Sequence, residues 1–239
     1  MRNTLLLITM ASFIISCQTK TKEPSNITYP DVKISGAMSN VIWKGELGGT
    51  IAIDTITNQK GLYGLGPESY LTGEILINDG ISYVSRVLTD STMMVKRNQN
   101  ISAPLLVYAN VNEWNPIQID TSISTVQDLE NLVDELTKDF KRPFAFKLKG
   151  EVLSANFHIQ NLPDGSTVNS PAQAHIGQTN YQLTNQQVTI VGFFSTEHAG
   201  VFTHHDSNVH LHLITDDEQQ MGHLDKVTLG KMILFLPVK

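Results

Sequence analysis

The chain has 239 residues and a net charge of −6, with 17 Lys and Arg set against 23 Asp and Glu. No basic stripe with interleaved aromatics runs through it, which excludes a nucleic-acid backbone as partner. Its one cysteine leaves no thiol pair for a disulfide, so the fold must rest on an apolar core and on any metal it binds.

At the N-terminus, Arg2 precedes an apolar run over residues 5–15 that is too short to span a bilayer as a stable helix. Residues 1–16 read as an export signal. The run closes in Ile14-Ile15-Ser16-Cys17, which resembles the bacterial lipobox, where the signal is cut before the cysteine and the sulfur is acylated. Cys17 is then the lipidation site, and loss of Arg2 takes the net charge from −6 to −7. These features place the chain outside the cytoplasm as a membrane-anchored lipoprotein, in the periplasm or at the cell surface, touching the membrane through its lipid alone. Residues 17–36 are polar, contain Pro24 and Pro30, and read as a tether. Residues 37–239 form the folded part, about 200 residues, enough for one large domain or two small ones packed together.

Short segments rich in β-branched and aromatic residues follow: TIAIDTI at 50–56, EILIND at 74–79, ISYVSRVL at 81–88 and PLLVYANV at 104–111 predict strands. Asp79-Gly80 predicts a two-residue hairpin turn, because both central residues of that turn take positive φ. Val126, Leu129, Leu132, Val133, Leu136 and Phe140 then recur at intervals of three and four, which predicts an amphipathic helix, and Ser124 with Gln127 fits a capping box at its start. Beyond Pro143, FAFKLKG and EVLSANFHI predict a hairpin turning at Lys149-Gly150, and residues 161–177 read as a mobile loop. QQVTIVGFFS, NVHLHLIT and KMILFLP complete a C-terminal third of strand and turn.

In NVHLHLI the apolar Val209, Leu211 and Leu213 alternate with His210 and His212, so both imidazoles leave one face of a strand, with Cα atoms roughly 7 Å apart. The turn TDDEQQMG returns the chain to His223, placed on the neighbouring antiparallel strand where a third ligand can join the pair. Three neutral histidines leave one tetrahedral position open, the arrangement of a catalytic zinc. The same pattern also fits a solvated pair on an exposed strand, and spacing alone leaves both readings open. For His204 and His205, in FTHHD, three roles stand open: support of the ligands, replacement of one of them, or exposure to water.

IVGFF at 190–194, VHLHLITDD at 209–217 and MGHLD at 221–225 resemble the C-terminal signature of the acetolactate decarboxylase family, whose ligands are a His-x-His pair and a histidine eleven residues after it, as at 210, 212 and 223 here. The resemblance continues through GTIAIDTI, GLYGLGPESYLTGEILINDGISY, the amphipathic helix and FAFKLKGEV, covering roughly residues 40–239 in consistent order. It implies an α+β fold of mixed and antiparallel sheets in two closely packed halves with few helices, and a homodimer in which sheets of two subunits join. Glu74, which alone reads as an exposed strand carboxylate, matches the family's substrate-site glutamate in Leu71-Thr72-Gly73-Glu74. Three places depart from the pattern. His158 falls where the family carries an active-site arginine, Pro67 replaces a threonine, and the sequence stops at Lys239, before a tail that supplies the family with a further glutamate.

The implied function is zinc-dependent decarboxylation of 2-acetolactate, a 2-hydroxy-3-keto acid, to acetoin and carbon dioxide, with Glu74 and His158 as catalytic residues. A second reading keeps the fold and metal cradle in a non-catalytic binding lipoprotein; a third uses the same histidines in a zinc hydrolase or hydratase. Metal content and acetoin formation separate the three. For the N-terminal reading, mass spectrometry of the mature protein is expected to find an acylated Cys17 at residue one, and Cys17→Ala is expected to abolish the lipid; an intact, unlipidated Met1 contradicts it.

Overall fold

The computed structural model describes residues 31–119 and 122–238. The export signal, Cys17 and the tether up to residue 30 lie outside these residues. The first half of the fold holds β1 (Lys33–Ser35), α1 (Met38–Lys44), β2 (Ile51–Ala52), β3 (Leu62–Pro67), β4 (Glu74–Asn78), β5 (Ile81–Thr89), β6 (Thr92–Arg97), β7 (Ser102–Ala103) and β8 (Leu106–Asn110). The second holds β9 (Trp114–Ile119), α2 (Val126–Leu136), β10 (Phe144–Ile159), α3 (Pro171–Ala174), β11 (Thr179–Phe194), β12 (Val209–Thr215) and β13 (Met221–Pro237). Every pairing between these strands is antiparallel. Lys33–Ser35, within the span read as tether, is an edge strand bonded to β8.

The first half is a six-stranded sheet in the order β1-β8-β3-β4-β5-β6, with β2 and β7 as a small separate pair. The Asp79-Gly80 turn forms as its sequence predicts, with φ of 50° and 81°. The segment TIAIDTI is strand only over Ile51–Ala52. It then tightens into a 3₁₀ turn, where Thr55 Oγ1 donates to the Ala52 carbonyl and competes with a ladder.

In the second half β10 pairs with both β11 and β13, β11 with β12, and β12 with β13, so four strands close on themselves, and β9 joins the outer part of β13. The hairpin expected at Lys149-Gly150 is absent: β10 runs unbroken over 16 residues, bonded along its length to β11. Phe146, Leu148, Val152 and Phe157, on both sides of Gly150, all enter one core, which a chain reversal would prevent. Gly150 instead bends the strand, at φ 148° and beside a register shift against β13.

Helix α2 covers that core with Leu129 and Val133. Its cap lies one residue later than the Ser124–Gln127 box: Thr125 Oγ1 accepts from the Asp128 N–H at 3.0 Å, and the Asp128 carboxylate accepts from the Ser124 N–H at 3.1 Å. The acidic Asp128 suits the positive end of the helix, and Gln127 bonds Asn131 instead. Phe140 lies beyond the helix end and packs against the core from there.

Between the halves, Tyr63, Leu65, Leu76, Tyr83 and Val107 of the first sheet pack against Val191, Phe193, Phe202, Ile214 and Met221 of the second. The segment 161–177 is a packed wall rather than a mobile loop: Leu162, Val168 and Ala174 are buried against Val41, Leu47 and Leu71, and the Leu162 N–H donates to the Leu71 carbonyl at 2.8 Å.

A Cβ at position 150 would stand 2.2 Å from the Lys231 carbonyl oxygen, in a backbone conformation side chains rarely adopt. Gly150→Ala is therefore expected to cost about 1–3 kcal/mol of stability. Urea unfolding checks it; an unchanged midpoint would show that the bend does not need glycine.

Candidate metal centre

Along β12, Val209, Leu211 and Leu213 enter the core of the closed sheet while His210, His212 and Ile214 face the first half, as the alternation predicts. They are not solvated: His210 is 3% exposed and His212 fully buried. Register carries the pattern across the sheet. Val191 on β11, His212 on β12, His223 on β13 and His158 on β10 form one row of adjacent residues.

His210, His212 and His223 each present a ligand atom, all within 4.8 Å of one another. A tetrahedral zinc with Zn–N near 2.1 Å sets its nitrogens about 3.4 Å apart, so holding one would draw the three rings together. Burial above all, then the neighbouring imidazoles, holds His210 and His223 well below the usual histidine range, and burial beside His158 takes His212 to about 3. The rings are therefore neutral, with lone pairs to give. The His210 Nδ1 and both His212 nitrogens are buried without a hydrogen-bond partner. The main chain at Phe202 and Ile75 favours the charged forms of His210 and His212, but does not reach bonding geometry at these atoms. Buried polar atoms left unpaired cost stability, and a metal ion would take one nitrogen of each of these rings.

Glu74 comes from the first residue of β4, 2% exposed. Its Oε1 accepts from the Gln160 N–H at 3.2 Å, and its Oε2 lies 3.6 Å from His212 Nε2. Burial raises its pKa well above the carboxylate range, the Gln160 bond opposes this, and the charges of Asp225 and Glu68 add to it. Burial thus favours the protonated form of this carboxyl beside the histidine cluster. Pro67 stands directly across from it on β3, and both border the same cavity.

His158 is buried with its ring 4.7 Å from that of His223. Its Nδ1 faces both oxygens of Asp225, at 2.8 and 2.9 Å, and its Nε2 lies 3.5 Å from the Gln160 amide nitrogen. Both ring nitrogens thus meet protein groups, and His158 is not among the residues that border the cavity. Those residues are the apolar Met38, Val41, Ile42, Pro67, Leu71, Leu105 and Ala174, with Glu74, Gln160, His175, His204, His210 and His223. The sequence reading missed Asp225, Gln160 and His175. Asp225 follows His223 by two, the same alternation that marks the His-x-His pair; for His175 no sequence signal exists. Of the two histidines left open, His204 borders the cavity with its ring edge toward His223 at 5.5 Å, and His205 lies outside it.

Clips hold this arrangement. Tyr83 donates to Glu218 at 2.9 Å and Arg97 pairs with the same carboxylate, tying the turn between β12 and β13 to the first sheet. Glu130 of α2 accepts from the Asn208 N–H, the Asn208 side chain and the Ser207 hydroxyl, fixing the entry to β12.

Fold and site together define a mostly antiparallel β protein with a buried histidine triad that could hold a metal ion. The model of the alpha-acetolactate decarboxylase family matches residues 35–236, and the chain belongs to that family. Its fold is similar to that of alpha-acetolactate decarboxylase from Bacillus subtilis strain 168, with a TM-score of 0.73, 21% identity, and coverage of 87% of this chain and 86% of that one. A Staphylococcus aureus protein of unknown function, described as similar to alpha-acetolactate decarboxylase, has a TM-score of 0.70 at 17% identity, with coverage of 87% and 86%. No curated protein sequence matches significantly.

Alanine at any one of His210, His212 or His223 removes a direct ligand and is expected to cut metal content to a small fraction of the wild type, whereas His204→Ala retains it. Elemental analysis of the purified variants decides; equal metal in all four would refute the ligand set.

Proposed function

We propose that this protein is a zinc-dependent carboxy-lyase that converts 2-acetolactate to acetoin and carbon dioxide. The observation that carries the reading is a buried carboxyl, Glu74, whose pKa burial raises, 3.6 Å from one of three buried imidazoles whose ligand atoms cluster within reach of a single ion.

The reaction breaks the bond between the carboxylate carbon and C2, and the electron pair stays on C2 beside the ketone. A proton must then reach one face of C2. Zinc held by His210, His212 and His223, when bound, supplies a Lewis acid for the neighbouring oxygens. Glu74 keeps its proton at a carboxyl oxygen because burial disfavours the anion, and it delivers that proton to C2. Bulk water restores it, so the net reaction consumes one proton. The Gln160 N–H holds Oε1 in place, leaving Oε2 toward the histidines. Met38, Val41, Ile42, Leu71 and Leu105 exclude water from the reacting face and accommodate the substrate's methyl groups. His158, fixed by Asp225 and with its ring 4.7 Å from that of His223, acts here as a positioning residue for that ligand. In the same reading the lipobox carries this activity outside the cytoplasm on the Cys17 anchor, and the protein works as a homodimer.

Racemic acetolactate incubated with the zinc-loaded protein is expected to yield acetoin. Glu74→Gln, which keeps the shape and removes the acid, is expected to lower kcat by about 10²–10⁴-fold at unchanged zinc content. Zinc-loaded wild type that forms no acetoin would end the proposal.

A further inference from the structure

Two imidazoles of the cavity have no role in the reaction as derived so far. His175 follows α3, and His204 lies between β11 and β12. Both border the inner cavity with Glu74, His210 and His223, and both also border an outer cleft with Met38, Ile42, Trp43 and Pro171. They therefore stand at the passage between the surface and the metal centre. Neither ring donates or accepts a hydrogen bond among the described residues.

The rest of the wall narrows the choice of partner. No lysine or arginine is among the described residues that border the inner cavity. Its polar side chains are Glu74, three ring-bearing groups beside or in the metal cluster, Gln160 and His175. Gln160 already faces His158 and Gln178. Outside the histidine cluster, a ligand that brings a carboxylate into this space thus finds ring N–H donors with no hydrogen-bond partner among the described residues on His175 and His204. His158, at the family's arginine position, is held by Asp225 and does not border the space.

Both donors are fixed from outside. The segment before His175 is packed on α1 and Leu71. The start of α1 is bonded to the chain before His204, with Met38 N–H to the Val201 carbonyl at 2.8 Å and Ser39 N–H to the Gly200 carbonyl at 2.9 Å. Glu130 holds the chain after it. Helix α1 thus braces both histidine segments at once, with its own Met38, Val41 and Ile42 as the apolar floor between them.

We propose that His175 and His204 are the anchoring pair of this site, whose ring N–H groups bind the carboxylate of a small 2-hydroxy acid while its hydroxyl end faces the His210, His212 and His223 cluster. The proposal deepens the decarboxylase reading and rests on it for the direction in which the ligand lies. An imidazole donates an N–H in either protonation state, so the role does not depend on titration. Two donors on separately braced segments replace the single planar fork of an arginine.

The test is calorimetric titration of the zinc-loaded, full-length protein with two unreactive probes of similar size. One is 2-hydroxy-2-methylpropanoate, which carries the carboxylate; the other is acetoin, which has the hydroxyl and ketone but no charge. His175→Ala and His204→Ala are each expected to weaken binding of the acid about tenfold, and the double variant about a hundredfold, with acetoin affinity changed less than about twofold. His204→Gln, which keeps an N–H donor, is expected to stay within about threefold of wild type for the acid, separating a lost donor from lost packing. The proposal is overturned if the wild type does not bind the acid, if the double variant binds it unchanged, if both probes weaken equally, or if His204→Ala loses zinc. The two readings fail separately: this contrast without acetoin formation from acetolactate would remove the decarboxylase reading and leave the anchoring pair, and acetoin formation without the contrast would do the reverse.

Discussion

Three neutral imidazoles packed against one another inside a closed sheet are the constraint around which the rest of this protein is arranged. Each ring must keep its nitrogens paired or bound, because a buried polar group without a partner costs about 1–3 kcal/mol. The row formed by His212, His223 and His158 across adjacent strands sets these groups side by side through register alone. Strands are suited to this task. Side chains on one face of neighbouring antiparallel strands stand about 5 Å apart, which is the reach an ion needs to bridge imidazoles.

The two halves divide the work. The closed sheet carries the three histidines, while the first sheet covers them and contributes the buried Glu74, together with Pro67 and Leu71 on the cavity wall. An apolar seam of aromatic and branched residues keeps the halves in place, and the Glu218 clip holds the turn that joins the two ligand strands. The remaining walls come from α1 and from residues 161–177, which follow the ligand scaffold but do not belong to it.

Position 158 illustrates the same separation. His158 keeps the strand register and meets His223, but Asp225 turns its ring into a support for the sheet row. The ring is thereby held by a carboxylate on the next strand and does not border the cavity, whose lining is apolar apart from Glu74, Gln160 and four histidines.

Much of this was legible in the residues themselves. The alternation in NVHLHLI determined which face carries His210 and His212, since strand side chains must point to opposite sides in turn. The turn after it brought His223 opposite His212, and the Asp79-Gly80 hairpin and the stripe of α2 followed from equally local rules. What failed was also local in appearance. Lys149-Gly150 has the composition of a turn, but β11 and β13 on either side hold it extended, and residues 161–177 have the composition of a free loop, but α1 and Leu71 bury their apolar members. Whether Glu74 is exposed or buried, where His158 points, and that His175 and His204 reach the cavity were decided only by tertiary packing. Period and turn chemistry act over a few residues of one segment, whereas burial and side-chain partnership depend on segments far apart in the chain, 86 residues for Glu74 and Gln160 and 135 for Tyr83 and Glu218.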